Sequence, residues 1–362
     1  MKLKKAIPRA DFLLLGLVVL LTIFGVVMVG NASVVESYRD FGDKFYYLRH
    51  QTVWALLGLL ALAFFAVFDY RHLKKLAIPL LLFTLLSLVL VLIPGLGNEV
   101  FGARRWLFLG PLRFQPTELA KFSLTLYLAS FFSKKQSLPV FLSLMGLLVV
   151  LIMLEPDLGT TLIILTVGFS VYFISGAPML VLIGLSIFGS FGSALFVFFS
   201  PYRRERLLTF LDPTRDPLGA SYHLRQALLA IGSGGIFGLG LGKSRQKYEY
   251  LPMVSTDSIF AIIGEEVGFI GAGLLVSLFL VLLWRGMKIA LNAEDNFGRL
   301  LATGLTVSVV LQALVNFGAM VALLPLTGVP LPFISYGGSS LVLSLASMGV
   351  LFNISSRQLV KR

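Results

Sequence analysis

The chain has 362 residues, of which 57% are hydrophobic and only 13% are charged, and its mean hydropathy is +0.90. Soluble domains are about 45–50% apolar and about 25% charged, so this composition excludes an ordinary soluble domain. The absence of cysteine excludes disulfides and thiolate chemistry, and three histidines argue against a zinc site built from cysteine and histidine. The net charge of +12 fits contact with anionic lipid or with an anionic substrate.

The first apolar segment follows a basic N-terminus. The sequence MKLKKAIPRAD precedes FLLLGLVVLLTIFGVVMVG, and this apolar stretch exceeds the roughly 7–15 residues of a signal-peptide core. We therefore interpret it as an uncleaved first membrane span.

Further apolar segments recur along the whole chain. A bilayer crossing needs about 20 mostly apolar residues, so the pattern predicts an all-α polytopic membrane protein with about ten helices. No internal repeat or low-complexity linker divides the chain, and we expect one domain over residues 1–362. The predicted spans are 12–30, 52–68, 77–94, 117–132, 140–155, 158–175, 178–199, 257–284, 300–323 and 337–355.

The distribution of cations predicts the orientation of these spans. An even number of spans puts both termini on one side, and the lysine-rich short loops make that side cytoplasmic. The large loop 200–256 is then extracytoplasmic, and the cations on that side are mostly arginine. Arginine binds phosphate or carboxylate through two parallel hydrogen bonds, which favours a phosphate-bearing substrate there. Solvated loop charge or contact with outer-leaflet lipid is the alternative.

The segment GARRWLFLGPLRFQPTELAKF (102–122) places many polar groups just before a predicted span. Pro116 suits the first turn of a helix. Glu118 and Lys121 would share one face of that helix inside the membrane, as a functional pair or as a structural ion pair. The arginines that could hold phosphates are Arg104, Arg105 and Arg113.

Three other segments interrupt the apolar pattern. In EPDLGTT (155–161), Asp157 is a candidate helix N-cap or metal ligand. In AIGSGGIFGLGLGKS (230–244), a phosphate-binding P-loop would need glycine where the chain has Phe237, so we predict a buried re-entrant stretch instead. In LLPLTGVPLPFISYGGSS (323–340), the prolines and glycines predict irregular backbone that lines a cavity or is covered by protein.

The segment PMVSTDSIFAIIGEEVG (252–268) carries three carboxylates at the start of an apolar run. A cap at Ser255 or Thr256 would place Asp257 in the first helical turn, where the helix dipole favours its ionised form. There it could take a proton from a hydroxyl, or it could be an ordinary helix-start acid. Glu265 and Glu266 would lie deeper and hold helices together, or pair with a base such as Lys121.

Several of these motifs together resemble the SEDS family (shape, elongation, division and sporulation), which includes FtsW, RodA and SpoVE. The motifs are GARRWLFLGPLRFQPTELAK, EPDLGT, the loop from YRRERLL to KSRQKYEYLP, TDSIFAIIGEEVGF and NFGAMVALLPLTGVPLPFISYGGSS. The RDPLG and GKSRQKYEYLP stretches are more similar to the FtsW division branch than to the RodA elongation branch.

The resemblance implies a peptidoglycan glycosyltransferase in the bacterial cytoplasmic membrane that polymerises lipid II at the outer face. It implies a class B penicillin-binding protein as transpeptidase partner, other divisome membrane proteins, and no nucleic acid. A divalent cation, Mg²⁺ or Mn²⁺, is a candidate cofactor. The essential aspartate of the family falls on Asp257, and family positions for substrate handling fall on Arg105, Arg113, Glu118, Lys121 and Glu249. The full set of expected substrate-binding residues is Arg104, Arg105, Arg113, Gln115, Glu118, Lys121, Glu249, Ser335, Gly337, Gly338 and Ser339, with Asp157, Glu265 and Glu266 expected to be structural or metal-binding.

The chain departs from the family pattern next to this aspartate. Where the family usually has Pro-Glu-x-His-Thr-Asp-Phe, the chain reads PMVSTDS, so Met253, Ser255 and Ser258 replace an acid, a histidine and an aromatic residue. Asp257 is kept, and we expect the activity with altered substrate affinity or partner contact. A lipid II flippase and a scaffold that only recruits the transpeptidase are the competing functions. Inverted repeats, which favour a transporter, are not found in the sequence.

Overall fold

The computed structural model of the chain describes residues 10–100, 103–109, 112–198, 201–212, 219, 221–248 and 250–357. Within them it forms thirteen helices and three strands. The helices are α1 (Phe12–Ala32), α2 (Val34–Phe41), α3 (Tyr46–Val67), α4 (Tyr70–Leu92), α5 (Pro116–Phe132), α6 (Leu138–Leu154), α7 (Leu158–Ile174), α8 (Met179–Phe198), α9 (Pro201–Leu211), α10 (Tyr222–Ser233), α11 (Ile259–Leu291), α12 (Asn296–Met320) and α13 (Gly338–Ser356). The strands are β1 (Gly97–Val100), β2 (Ala103–Leu109) and β3 (Leu112–Phe114).

Most of these helices have the character of membrane spans. Among the described residues, six are long and apolar enough to cross a membrane, namely α1, α3, α4, α11, α12 and α13. The helices α6 and α7 are apolar but shorter, with 17 residues each. Together with α5 and α8, these helices correspond to the ten predicted spans. The largely helical, polytopic fold is confirmed, and the protein is a multi-pass membrane protein.

Both described ends of the chain lie on one face of the molecule. The Asp11 N–H donates to the Ser355 hydroxyl at 3.0 Å, and Arg285 lies 2.6 Å from the Asp11 carboxylate. The α3–α4 connection reaches the same face, because Asp69 lies 3.1 Å from Arg357. The Tyr70 hydroxyl donates to Asp295 at 2.8 Å and brings the α11–α12 connection there as well. We call this the terminal face. The opposite face, the site face, carries the sheet and the connections 155–157, 250–258 and 321–337.

A three-stranded antiparallel sheet of order β1-β2-β3 lies where the sequence predicted only a polar loop. Leu107 pairs with Phe114 and Phe108 with Arg113 across β2 and β3. The largely helical fold therefore includes a small sheet. The aromatic and arginine residues on either side of a Gly-Pro dipeptide were the available hairpin signal.

The helices α5 and α12 lie at the centre of the bundle. Nearly all of α5 is buried, and it packs against α4, α7 and α12. In α12, 83% of the most apolar 18-residue stretch is buried inside the protein. Its many Ala, Gly, Ser and Thr residues let neighbouring helices approach closely. Polar side chains on these two helices are therefore enclosed by protein rather than by lipid.

Candidate functional site

Asp257 lies in a turn that precedes α11. The prediction that it sits in the first helical turn, under a cap at Ser255 or Thr256, is wrong, because α11 begins after Ser258, its N-cap. The N–H groups of Thr256 and Ser258 both donate to the Met253 carbonyl at 3.2 Å, which closes a turn instead of a helix. Met253 has φ 54°, in the left-handed region that non-glycine residues rarely adopt.

The main chain of this turn is held by hydrogen bonds from outside it. The carbonyls of residues 255, 256 and 257 accept from the Tyr336 N–H at 2.8 Å, the Ser335 hydroxyl at 2.5 Å and the Asn316 Nδ2 at 2.8 Å. Two donors belong to the connection between α12 and α13, and the third to α12. The turn is thus fixed by three consecutive carbonyls, and Ser335 contacts the turn that carries Asp257.

Asp257 is half-buried, and its carboxylate has few polar contacts within the described residues. The Thr256 hydroxyl donates to Oδ1 at 3.0 Å, and no ion pair of Asp257 forms within the described part of the chain. Gly328 adopts φ +70°, and a Cβ at this glycine would lie 3.8 Å from Asp257 Oδ2. Glycine therefore suits the backbone conformation, and a methyl group added here would stand in van der Waals contact with the carboxylate.

A second carboxylate, Glu36 of α2, lies close to this turn. Its Oε2 accepts from the Ser255 hydroxyl at 2.8 Å. Burial raises the pKa of Glu36, while the Ser255 hydrogen bond lowers it and the charge of Asp257 adds to the rise. Ser255, which stands where the family pattern usually has histidine, therefore binds α2 through its hydroxyl.

The predicted Glu118–Lys121 pair forms in the centre of the bundle. Lys121 Nζ donates to Glu118 Oε1 at 2.8 Å, and the side chains are only 4% and 6% exposed. Lys121 also donates to the Gln312 side-chain oxygen on α12. The Gln312 Nε2 in turn donates to the Pro330 carbonyl at 2.9 Å. The ion pair is thereby connected to the loop beside Asp257.

Arg105 and the connection 155–157 meet on the site face. The Arg105 guanidinium donates to the Glu155 and Pro156 carbonyls at 3.1 and 2.6 Å. Asp157 caps α7, accepting from the Thr160 N–H at 3.0 Å and from its hydroxyl at 2.8 Å. The Glu155 side chain is fully buried, and its oxygens have no hydrogen-bond partner within the described residues. Burial raises the pKa of Glu155 to about 9, the nearby Asp157 adds to the rise, and Arg105 opposes it.

Other predicted site residues join the sheet to α5 and α13. The Ser339 hydroxyl donates to the Arg113 carbonyl at 3.0 Å and lies 3.3 Å from the Gln115 N–H, which donates to it. Gly337 is the N-cap of α13, and a Cβ on Gly338 would collide with the Trp54 ring. The Arg113 side chain is exposed. Burial raises the pKa of Tyr336, and the charge of Arg113 opposes this rise. Arg104 is half-buried on β2.

Glu265 and Glu266 bind the large outer loop. Glu265 accepts from the Ser244 hydroxyl at 2.5 Å and from the Arg245 N–H at 3.0 Å. Glu266 accepts from Lys247 at 3.4 Å and from the Asn31 side chain of α1. The alternative that they pair with Lys121 is wrong, because Lys121 binds Glu118 and Gln312. Of the expected contacts between helices, Glu266 makes one to α1, while most other partners of the two glutamates lie in the outer loop. The long α11 helix breaks just beyond them, at Gly268.

The metal-binding hypothesis remains a prediction. Within the described residues, no group of three or more His, Asp or Glu side chains is arranged to hold an ion. Asp157 uses both oxygens on Thr160. Magnesium sites can nevertheless consist of one or two carboxylates with substrate phosphates, and the site face offers such carboxylates. Glu249, a predicted substrate-binding residue, lies outside the described residues.

Sequence reasoning missed four polar residues that the structure places on the site face or on α12 below it: Glu36, Glu155, Gln312 and Asn316. Glu36 lies in a short outer segment, and Glu155 is the first residue of the EPDLGTT motif. Gln312 and Asn316 are amide residues in a part of α12 whose other residues are apolar. Their spacing of four residues places them on one face of the helix. Amides at that spacing inside a predicted span were the signal that could have identified them.

Known proteins were compared with the chain. A family model described as "Cell cycle protein", covering FtsW, RodA and SpoVE, matches residues 11–359. A protein from Geobacter sp. (strain M18) named "Probable peptidoglycan glycosyltransferase FtsW" is 41% identical over 355 residues, which are 96% of this chain and 97% of that protein. Stage V sporulation protein E of Bacillus subtilis (strain 168) is 40% identical over 363 residues, 98% of this chain and 99% of that protein.

Solved structures agree with these relatives. A chain from a structure described as a peptidoglycan synthase complex that coordinates polymerization and crosslinking has a TM-score of 0.79, with 34% identity over 96% of this chain and 98% of that one. Rod shape determining protein RodA of Thermus thermophilus has a TM-score of 0.72, with 32% identity over 98% of this chain and 99% of that one. The chain therefore belongs to the FtsW/RodA/SpoVE family, as its motifs predicted.

Proposed function

We propose that this protein is a peptidoglycan glycosyltransferase that polymerises lipid II, with Asp257 as the general base. The observation that carries the proposal is the Asp257 carboxylate, which is presented on the site face by a turn fixed through three carbonyls. It has no cation partner within the described residues. A carboxylate that is held in place and not neutralised is suited to accept a proton from a substrate hydroxyl. The glycosyltransferase names of its relatives support the same reaction.

The reaction joins two lipid-linked disaccharides. The 4-hydroxyl of the acceptor sugar attacks the anomeric carbon of the donor, and its proton passes to Asp257. The bond from the anomeric carbon to the donor phosphate breaks, and polyprenyl pyrophosphate leaves with the electron pair. A positioned general base contributes about 10²–10⁴-fold to such a step.

Positive charge on the site face would stabilise the departing pyrophosphate. Arg113 is exposed there, and α5, α7 and α13 begin on this face. Helix N-termini carry partial positive charge and unpaired N–H groups that favour phosphate. Arg105, now bound to two carbonyls, would remain a second cation at the rim. A divalent cation, Mg²⁺ or Mn²⁺, would be held by a site-face carboxylate such as Glu36 and would supply further positive charge for the leaving group.

The cations and the relatives support a cellular arrangement. The terminal face carries the lysine-rich short loops, so we place it in the cytoplasm and the site face outside the bacterial cytoplasmic membrane. The similarity to a peptidoglycan synthase complex and to relatives named FtsW supports a class B penicillin-binding protein as partner and a role in division.

Polymerisation of purified lipid II tests the proposal. Wild type and Asp257→Ala are assayed in detergent, each alone and with the transpeptidase partner, after both are shown to be folded and to bind the partner. We expect glycan strands from wild type and none from Asp257→Ala. Equal product from both would remove Asp257 from the mechanism. Absence of product with wild type, together with lipid II movement across liposome membranes, would establish the flippase instead. Partner binding without either activity would indicate a scaffold.

A further inference from the structure

Asn316 bridges the turn of Asp257 and the loop that faces its carboxylate. Its Nδ2 donates to the Asp257 carbonyl at 2.8 Å and to the Val329 carbonyl at 2.9 Å. The residue is only 1% exposed, and its Oδ1 has no partner within the described residues. A buried amide that uses both N–H groups on two separate segments fixes their relative position.

Gln312 extends the same arrangement one helical turn earlier. It lies four residues before Asn316, on the same face of α12, and donates to the Pro330 carbonyl at 2.9 Å. The two amides therefore bind consecutive carbonyls of the loop, 329 and 330. Gln312 also accepts from Lys121, which is paired with Glu118. A continuous chain of buried polar groups thus runs from the ion pair to the main chain of Asp257.

Both segments joined by Asn316 contain unfavourable backbone conformations. Met253 in the turn has φ 54°, and Phe333 in the loop has φ 66°. Such residues cost on the order of 1–3 kcal/mol each and persist only where the surroundings impose them. The hydrogen bonds from Asn316 and from Ser335 to the turn hold these two segments together.

We infer that Asn316 is a positioning residue for Asp257, and that Gln312 connects it to the Glu118–Lys121 pair. Asn316 acts through the main chain, so it sets the place of the carboxylate without touching lipid II. The inference rests on the proposed function, because it assigns a role relative to Asp257 as the base. It requires that loss of the amide lowers the rate of glycosyl transfer and leaves substrate affinity unchanged.

The test compares Asn316→Asp with a matched control in the full chain bound to its transpeptidase partner. Asn316→Asp keeps the size of the side chain and replaces the two N–H donors by acceptors. The control is Asn353→Asp on α13, where an amide of 2% exposure donates to Ala66 and accepts from Tyr70 at the terminal face. Values of kcat and KM for lipid II polymerisation, lipid II binding and the thermal midpoint are measured for each.

We expect Asn316→Asp to lower kcat by about 100-fold with KM unchanged, the size of loss that a 1 Å misplacement of a reacting group can cause. Asn353→Asp should keep the wild-type kcat. Ser335→Ala, which removes the neighbouring bond to the Thr256 carbonyl, should lower kcat in the same direction and covers the case in which Asn316→Asp does not fold.

Wild-type kcat in Asn316→Asp, or in Ser335→Ala where the first variant does not fold, would overturn the inference, provided that Asp257→Ala is inactive. An equal loss in Asn353→Asp would also overturn it, since any buried amide would then have the same effect. Full activity in Asp257→Ala would contradict the proposed base itself, which is a separate result.

Discussion

The terminal face and the site face differ in how completely their acids are paired. On the terminal face, acids and bases are matched in partly exposed pairs. Arg71 contacts Glu294 at 2.6 Å and Asp295 at 3.3 Å, and Arg357 contacts Asp69 at 3.1 Å. The Arg71 contacts join the start of α4 to the α11–α12 connection, and the Arg357 contact joins the end of α13 to the α3–α4 connection. The acids at these connections are therefore paired with arginine within the fold.

On the site face, several carboxylates have no cation partner within the described residues: Glu36, Glu155 and Asp257. The Glu118–Lys121 ion pair is enclosed in the bundle centre and linked to the loop beside Asp257. Unpaired acids cost stability in a membrane protein, and a fold keeps them where they serve a function. The difference indicates which face does chemistry, and four changes test it.

The largest effect on stability is expected at the enclosed ion pair. Lys121→Met leaves Glu118 without its cation and should lower the free energy of unfolding by about 3–5 kcal/mol. The thermal midpoint in detergent measures the change. The double variant Glu118→Gln/Lys121→Met should recover most of the loss, because no isolated charge remains. A single variant as stable as wild type would contradict the enclosed pair.

Glu155 should make stability depend on pH. Its pKa in the folded chain is about 9, well above that of an unfolded glutamate near 4.5, so the folded chain holds an additional proton between these values. Stability therefore falls as the pH rises through this window. Glu155→Gln has no group that titrates at this position. The thermal midpoint of this variant should therefore rise relative to that of wild type as the pH increases from about 5 to about 9. Parallel curves for the two proteins would show that Glu155 is partnered.

Gly328 tests the space beside Asp257. Its φ of +70° makes alanine unfavourable by about 1–2 kcal/mol. Gly328→Ala should lower the thermal midpoint and reduce polymerisation, since the new methyl group lies 3.8 Å from Asp257 Oδ2. Gly146→Ala in α6, where a Cβ meets open space, is the matched control and should be at least as stable as wild type. Identical behaviour of both variants would remove the special role of Gly328.

The smallest effect is expected on the terminal face. Glu294→Ala removes one partner of Arg71, whose contact with Asp295 remains. Partly exposed pairs contribute about 0–1 kcal/mol, so the thermal midpoint and lipid II polymerisation should stay near wild type. A loss as large as that of Lys121→Met would abolish the distinction between the two faces.

The sequence predicts the helical framework well because membrane crossing requires long apolar runs. It also predicts Glu118, Lys121 and Asp257 as candidate functional residues, since charges within or beside such runs are rare. The Glu118–Lys121 contact follows from helical spacing alone. These predictions depend on local pattern, which a single sequence contains.

The remaining features depend on contacts between distant segments. Asp257 lies in a turn because residues 316, 335 and 336 bind its carbonyls, and nothing within 252–268 reveals those donors. The partners of Glu265 and Glu266 come from the outer loop and from α1, which no spacing rule relates. The sheet was missed because its strands are short and rich in arginine.

A single-turnover measurement of glycosidic bond formation tests the central claim most directly. Wild type and Asp257→Asn, each with its transpeptidase partner, are loaded with lipid II, and bound substrate and bond formation are followed in the same sample. We predict equal binding and a rate about 10²–10⁴-fold lower for Asp257→Asn, the contribution of a general base. An unchanged rate with equal binding would contradict the assignment of Asp257 as the base.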